Sequence, residues 1–289
     1  MHRIGVDLGG TKIEVAVLDP AGHIAFRCRI PTPGTYTGVI EAISGLVQAA
    51  EQALGVRGTV GVGIPGTISP ASGLVKNANT QTLIGHALDQ DLAATLDRPV
   101  RVENDANCFA LSEAADGAGT GAHCVFGVIL GTGCGGGIVV GGKVLSGRNR
   151  IAGEWGHMPL PWPAGAGEWP QPPCWCGQKG CLELYLAGPG LAKDAGRPAP
   201  TLISAPDPSG DAALERHADR LARGLAVITN ILDPDVIVLG GGLSNMAHLY
   251  TRVPEIMARR VFSDVSATPV VPAQHGDSSG VRGAAWLWP

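Results

Sequence analysis

Residues 4–17 read IGVDLGGTKIEVAV, two apolar runs joined by a short glycine-rich stretch. Each apolar run is typical of a buried β-strand, and the paired glycines indicate a tight turn between the strands. In such a turn successive backbone N–H groups can point at one anion, and the aspartate before it, Asp7, could hold Mg²⁺ or its water ligands. The pattern predicts a phosphate-binding turn, with a plain β-hairpin as the alternative. The residues of this turn are Gly9, Gly10, Thr11 and Lys12.

A second stretch, residues 124–140, repeats this plan half a chain later with the sequence CVFGVILGTGCGGGIVV. Two apolar runs again enclose a turn of glycine and threonine. Two strand–turn–strand units at this separation suggest duplicated lobes with a nucleotide between them. A chance glycine-rich hairpin is the weaker alternative. The second predicted phosphate turn consists of Gly131, Thr132 and Gly133.

An acidic and amide-rich cluster, Glu103-Asn104-Asp105-Ala106-Asn107, ends a short apolar run and opens a helical pattern. Asn and Asp are preferred at helix N-caps, so Asn104 or Asp105 could act as a cap. A cap needs one such side chain, whereas this cluster supplies four polar groups. We interpret Asp105 as a catalytic carboxylate that accepts the proton of a hydroxyl group.

Three cysteines lie close together, Cys174, Cys176 and Cys181, and His157 precedes them. Together they provide the four nitrogen and sulfur ligands of a closed tetrahedral zinc site. Their spacing is unusual for zinc fingers, but three clustered cysteines cannot form two disulfides with one another. We therefore predict structural Zn²⁺. The other four of the seven cysteines are expected to be reduced: Cys28, Cys108, Cys124 and Cys134.

Composition limits the classes of protein to which the chain can belong. Its 289 residues with 45% hydrophobic content suit one or two globular domains. A formal charge of -4 without a block of Lys or Arg gives no footprint for nucleic acid or an anionic membrane. The uncharged stretch 125–142 is long enough for a membrane span, but its glycines argue against one. The N-terminus lacks the pattern of a signal peptide, so we expect a cytoplasmic protein.

Apolar periodicity predicts the remaining elements. Helical spacing covers residues 38–55 and a stretch from Asp211, whereas residues 184–212 indicate only a short helix with surface loops. Buried strands are expected at 60–64, 99–102, 236–239 and 269–271, and a further helix at 254–261.

Three loops carry weaker hypotheses. Gly240, Gly241 and Gly242 would let a flat group such as an adenine lie against the backbone, although close helix–strand packing explains them equally well. The amides around Asn79 could contact sugar hydroxyls, but solvated turn residues are the simpler interpretation. The closing segment 275–286 is compatible with chemistry at a helix N-terminus, but the sequence assigns no site there.

These motifs together resemble the ROK family (repressor, open reading frame, kinase) of bacterial sugar kinases. The resemblance rests on five stretches in order along the chain: 7–12 (DLGGTK), 103–107 (ENDAN), 130–133 (LGTG), 154–157 (EWGH) and the cysteine run 174–183. Within the family, residues 75–79, 159–162 and the ending from His275 are most similar to fructokinases of the mannose/fructose type. N-acetylglucosamine kinases are the near neighbours.

The resemblance implies an α/β protein with the actin-like (ribonuclease H-like) ATPase fold. Two lobes, 1–117 and 118–289, would enclose a cleft, with the final helix packing back on the first lobe. The expected ligands are ATP, Mg²⁺, a hexose and structural Zn²⁺, and the expected assembly is a homodimer. No nucleic-acid binding is expected, because the winged helix of the family's repressors is not recognised ahead of the first turn.

The resemblance also implies a role for individual residues. Asp105 would be the base. The sugar contacts would be Asn104, Glu154, His157 and Glu183. The zinc ligands would be His157, Cys174, Cys176 and Cys181. The nucleotide and its Mg²⁺ would be bound by Asp7, Gly9, Gly10, Thr11, Lys12, Gly131, Thr132, Gly133, Gly241 and Gly242.

The predicted reaction is transfer of the ATP γ-phosphoryl group to a primary sugar hydroxyl, with O6 of fructose as the expected acceptor and mannose or glucose as further acceptors. N-acetylglucosamine kinase or glucokinase activity is the alternative. A sugar-sensing protein without activity would keep the sugar contacts but would not need Asp105 or both phosphate turns. An actin-like or Hsp70-like ATPase would share the lobes but would not need the cysteine cluster.

Overall fold

The computed structural model describes residues 1–78, 80–165, 167–204 and 211–289. Its strands are β1 (Arg3–Leu8), β2 (Lys12–Leu18), β3 (Ile24–Pro31), β4 (Thr59–Ile64), β5 (Thr67–Ile68), β6 (Val75–Lys76), β7 (Val100–Asn104), β8 (Cys124–Leu130), β9 (Cys134–Val140), β10 (Lys143–Val144), β11 (Val236–Gly240) and β12 (Val270–Pro272). Its α-helices are α1 (Tyr36–Leu54), α2 (Leu88–Leu96), α3 (Asp105–Asp116), α4 (Glu183–Leu186), α5 (Gly188–Ala195), α6 (Ala199–Ser204), α7 (Ala212–Leu232), α8 (Leu249–Met257) and α9 (Ser279–Ala285). Single 3₁₀ turns occur at Gln81–Leu83, Trp155–His157, Gly242–Asn245 and Gly276–Ser278.

Two five-stranded sheets share one plan. The first has the strand order β3-β2-β1-β4-β7 and the second β10-β9-β8-β11-β12. In each, an antiparallel hairpin (β1–β2 or β8–β9) is followed by two parallel strands. Both glycine-rich turns therefore connect the hairpin of their own sheet, as the repeated sequence pattern predicts.

The long helices cover these sheets through apolar faces that the sequence predicts. In α1 the side chain of Thr35 caps the first turn, Gly55 ends the helix with a φ of 65°, and Val39 and Ile43 are fully buried. In α7 the carboxylate of Asp211 accepts a hydrogen bond from the N–H of Ala213. Both helices thus begin at a side-chain cap and bury one stripe against a sheet.

Helices α3 and α9 lie against each other between the two sheets. A Cβ atom on Gly5 of β1 would lie 1.9 Å from the carbonyl oxygen of Val281 in α9. A Cβ atom on Gly283 of α9 would lie 1.6 Å from the carbonyl oxygen of Cys108 in α3. Only glycine permits these backbone approaches. They place the N-terminus of α3 where elements of the two sheets meet.

Two local predictions are wrong. The helix expected at 254–261 is α8, which begins at Leu249 and contains Pro254 in its interior, because Leu249 and Val253 are fully buried in the core. Where one short helix was expected after residue 184, the structure has α4, α5 and α6, and residues 205–210 lie outside the described part of the chain. No helix in the described ranges is both long and apolar enough to cross a membrane.

Candidate active site

A cavity of about 370 Å³ opens where α3, the ends of β1 and β11, and the segment 272–280 meet. Asp7, Asp105 and residues 240–242 line it. The remaining wall is formed mainly by residues of the segment 272–280. Its size and its polar lining suit a small polar ligand.

Asp105 is the first residue of α3, directly after β7. The cap of this helix is Asn104, whose Oδ1 accepts hydrogen bonds from the N–H groups of Ala106 (2.9 Å) and Asn107 (3.4 Å). Asn104 Nδ2 also donates to the carbonyl oxygen of Gly66 at 3.2 Å. The capping role that the sequence left open between two residues is thus performed by Asn104. The carboxylate of Asp105 accepts one hydrogen bond, from the Ala106 N–H at 2.8 Å, and lines the cavity.

The two carboxylates at the cavity hold protons more tightly than carboxylates in water do. Burial, and next the charge of Asp7, raise the pKa of Asp105 to about 7. Burial, and next the charge of Glu14, raise the pKa of Asp7 to about 6. Both side chains keep some accessible surface because they face the cavity, although protein surrounds them on the other sides. A carboxylate of this kind is suited to accept a proton near neutral pH.

The two glycine-rich turns lie outside the described lining of the cavity. The first is a tight hairpin, in which the Gly9 N–H donates to the carbonyl oxygen of Lys12 at 2.9 Å, and Gly10, Thr11 and Lys12 are exposed. In the second, which contains Thr132, the Gly131 N–H donates to the carbonyl oxygen of Gly133 at 3.0 Å. Both turns therefore have the geometry of a β-hairpin, which was the alternative interpretation. A hairpin turn can still bind an anion through its backbone N–H groups.

The structure separates the two explanations for the glycines at 240–242, which were close packing and contact with an adenine. A Cβ atom on Gly240 would lie 2.4 Å from the ring of Phe109, and one on Gly241, where φ is 81°, would lie 2.4 Å from the carbonyl oxygen of Leu130. Packing accounts for these two glycines. A Cβ atom on Gly242 would meet no described atom within 4 Å, so Gly242 presents open backbone to the cavity.

Of the four expected sugar residues, Asn104 ends β7 in the first half of the chain, whereas Glu154, His157 and Glu183 lie in the second half. Glu183 begins α4, and its carboxylate accepts hydrogen bonds from the Cys134 N–H at 3.0 Å and from Trp175 Nε1 at 2.9 Å. Glu154 precedes the 3₁₀ turn that ends with His157, and its charge contributes to the raised pKa of Asp105. The structure therefore places Glu154 within electrostatic range of Asp105, while Glu183 is fixed against the second turn.

The predicted metal ligands converge. One ligand atom from each of His157, Cys174, Cys176 and Cys181 lies within 4.8 Å of all the others. Sγ of Cys176 and Sγ of Cys181 are 3.6 Å apart, and Sγ of Cys174 is 3.8 Å from Nδ1 of His157. A tetrahedral Zn²⁺ with Zn–S bonds of about 2.3 Å separates its sulfur ligands by about 3.8 Å, so this donor set fits zinc.

Sequence reasoning missed the contribution of the segment 272–280 to the cavity. Its Gly-Asp-Ser-Ser-Gly composition was a signal, but nothing in the sequence tied it to Asp7. In the structure a Cβ atom on Gly280 would lie 3.1 Å from Asp7 Oδ2, so the start of α9 closely approaches that carboxylate. The hypothesis for Asn79 falls outside the described residues.

The chain is similar in sequence and in structure to known proteins of one family. The model of the ROK family matches residues 3–289. The chain is 44% identical to N-acetyl-D-glucosamine kinase from Salmonella gallinarum, over 98% of each chain. Among solved structures it is similar to the ROK hexokinase from Thermus thermophilus, with a TM-score of 0.85, 35% identity, and coverage of 99% of this chain and 97% of the hexokinase. It is also similar to a ROK family glucokinase from Streptomyces griseus in complex with glucose and AMPPNP, with a TM-score of 0.78, 30% identity and coverage of 99% of each chain.

Fold and site thus define an ATP-dependent sugar kinase with the actin-like ATPase fold. The chain belongs to the ROK family. The fold and the family expected from the motifs are confirmed. The named relatives support the N-acetylglucosamine alternative better than the fructokinase prediction.

Proposed function

We propose that this protein transfers the γ-phosphoryl group of ATP to the primary hydroxyl of N-acetylglucosamine. The observation that carries the proposal is Asp105, a carboxylate with a raised pKa that lines the cavity and lies close enough to Glu154 to respond to its charge. The choice of sugar is supported by the 44% identity to an N-acetyl-D-glucosamine kinase over nearly the whole length of both chains. Fructose is kept as a competitor in the test below.

Asp105 is assigned as the general base. Its carboxylate accepts the proton of the attacking hydroxyl while the sugar oxygen forms a bond to the γ-phosphorus and the bond to the β-phosphate oxygen breaks, which releases ADP. Phosphoryl transfer requires mainly positioning and charge stabilisation from the protein. A base with a pKa of about 7 accepts the proton more readily than an ordinary carboxylate does.

The nucleotide is assigned to the cavity beside Asp105. Gly241 and Gly242 would face its adenosine part, and the turns Gly9–Lys12 and Gly131–Gly133 would approach its phosphates from outside the described lining. Asp7 fits Mg²⁺ by its chemistry, because it offers carboxylate oxygens to the cavity. The ion, when bound, neutralises charge on the phosphates.

The sugar is assigned to Asn104, Glu154, His157 and Glu183. Asn104 is fixed by its capping bonds, and Glu183 by two donors. The His157 and cysteine cluster would hold zinc with all four positions filled by protein, which is the arrangement of a structural site. Its role is to fix the loop that carries His157 and Glu183.

A coupled assay that measures ADP release tests the proposal. N-acetylglucosamine, N-acetylmannosamine, glucose, mannose and fructose are compared at matched concentrations, with a reaction without sugar as the baseline. We expect the highest kcat/KM for N-acetylglucosamine. A higher value for fructose would restore the fructokinase prediction, and equal ADP release without sugar would indicate an ATPase instead.

The division into lobes 1–117 and 118–289 and the homodimer are also proposed. Each lobe would contain one of the two sheets, and α9 packs on β1 and β4 of the first sheet. Two exposed apolar side chains on the second lobe, Ile231 and Phe262, support an interface with a second copy of the chain. Light scattering coupled to size exclusion gives the mass in solution, and a monomer at all concentrations would contradict the dimer.

A further inference from the structure

Glu113 is a buried carboxylate that the proposed reaction does not use. It lies two helical turns after Asp105 on α3, and no part of it is accessible to solvent. Burying a carboxylate costs free energy unless hydrogen bonds replace its water. Its partners therefore indicate what the residue is for.

Both oxygens of Glu113 are occupied. Oε2 accepts hydrogen bonds from the N–H groups of Ala118 at 3.0 Å and Gln274 at 2.9 Å. Oε1 accepts from the N–H of His275 at 3.2 Å and lies 2.8 Å from the hydroxyl oxygen of Ser279. Three of these four donors belong to the segment 272–280, and all four are neutral.

This segment is a wall of the cavity. Residues Ala273, Gly276, Asp277, Ser279 and Gly280 line it, and the Asp7 and Asp105 carboxylates line it as well. Glu113 therefore ties the wall to the same helix whose first residue is Asp105.

We propose that Glu113 is a positioning residue for the nucleotide: it holds the segment 272–280 at the separation from Asp7 and Asp105 that ATP binding and phosphoryl transfer require. The inference rests on the proposed placement of ATP in this cavity. Glu113 does not belong to the described lining of the cavity and acts through the backbone of residues 274 and 275.

Only a carboxylate can fill this place. In a glutamine the NH₂ group replaces one of the two oxygens, and only the other oxygen keeps its hydrogen-bond donors. In either orientation at least one backbone N–H, that of Gln274 or of His275, then faces an NH₂ group. The wall must shift to relieve this contact, although the side chain is almost unchanged in size.

The test is Glu113→Gln, assayed as the full chain. We expect KM for ATP and the Kd of Mg-ADP from calorimetry to rise roughly tenfold, which corresponds to about 1.4 kcal/mol, with KM for the sugar within twofold. The matched control is Glu51→Gln, which removes a carboxylate that binds the Gly58 N–H and Arg98 away from the cavity. It should lower the melting temperature without changing Mg-ADP affinity.

The outcomes separate the inference from the function on which it rests. If the unchanged protein does not bind Mg-ADP, the nucleotide site itself is wrong, and the inference with it. If the unchanged protein binds and Glu113→Gln binds equally well, Glu113 is merely structural and only the inference fails. Should Glu113→Gln not fold, Ser279→Ala removes one donor to the same carboxylate, and an Mg-ADP affinity equal to that of the unchanged protein would overturn the inference.

Discussion

The carboxylate pair Asp7 and Asp105 and the cluster of His157 with three cysteines are both groups of ligating side chains, yet they are built in opposite ways. The two carboxylates face a cavity and hold raised pKa values of about 6 and about 7. The four ligand atoms of the cluster face one another within 4.8 Å. Carboxylates that face a cavity are available to a substrate, whereas four ligand atoms that face one another suit a single ion between them.

This difference predicts two kinds of mutational effect. Changes at the carboxylate pair should alter turnover with little effect on folding, because Asn104 caps α3 independently of Asp105. Changes at the cluster should alter stability and sugar affinity first, because they would release the loop that carries the proposed sugar contacts.

The largest effect is expected for Asp105→Asn. A positioned base contributes about 10² to 10⁴ in rate, so kcat should fall by that factor while sugar affinity stays within twofold. Steady-state kinetics and calorimetry with the sugar measure the two quantities. The matched control is Asp89→Asn, which removes an acidic group from the first turn of α2, outside the cavity lining. Near-normal turnover of Asp105→Asn would contradict the assignment of Asp105 as the general base.

Cys181→Ser should change stability and sugar affinity more than turnover, which is the reverse of the pattern expected for Asp105→Asn. We expect less than one zinc per chain by atomic emission, a lower melting temperature, and KM for the sugar raised roughly tenfold, with kcat changed less. Cys28→Ser, a cysteine of β3 outside the cluster, serves as the control. A variant without zinc that binds sugar as the unchanged protein does would show that the cluster does not shape the sugar site.

The smallest effect is expected for Trp175→Phe, a change between two cysteines of the cluster. Trp175 is two-thirds exposed, and its Nε1 donates to Glu183 Oε1 at 2.9 Å. A single hydrogen bond contributes about 0.5 to 1.5 kcal/mol, so KM for the sugar should rise about two- to tenfold. Trp169→Phe is the matched control, since Trp169 lies in the same part of the chain and is similarly exposed. Equal KM values for both variants would show that this bond does not orient Glu183.

Much of the fold was predictable because its signals are local. The apolar runs around the two turns predict β1, β2, β8 and β9, and these strands form as expected. The apolar spacing predicts both ends of α1 and the start of α7 to within about two residues. The helix at 254–261 was misplaced because proline is common in first helical turns, whereas here burial of Leu249 extends α8 upstream of Pro254.

By itself the sequence determined which groups are available for chemistry: a carboxylate at a strand–helix junction, two glycine-rich turns, and one histidine with three clustered cysteines. Spacing along the chain carries this information because strands, turns and caps depend on neighbouring residues. Only the tertiary structure decided which distant groups meet. Glu113 and the segment 272–280 are about 160 residues apart, and their contact arises from the approach of α9 to α3 across Gly283, which local periodicity does not encode.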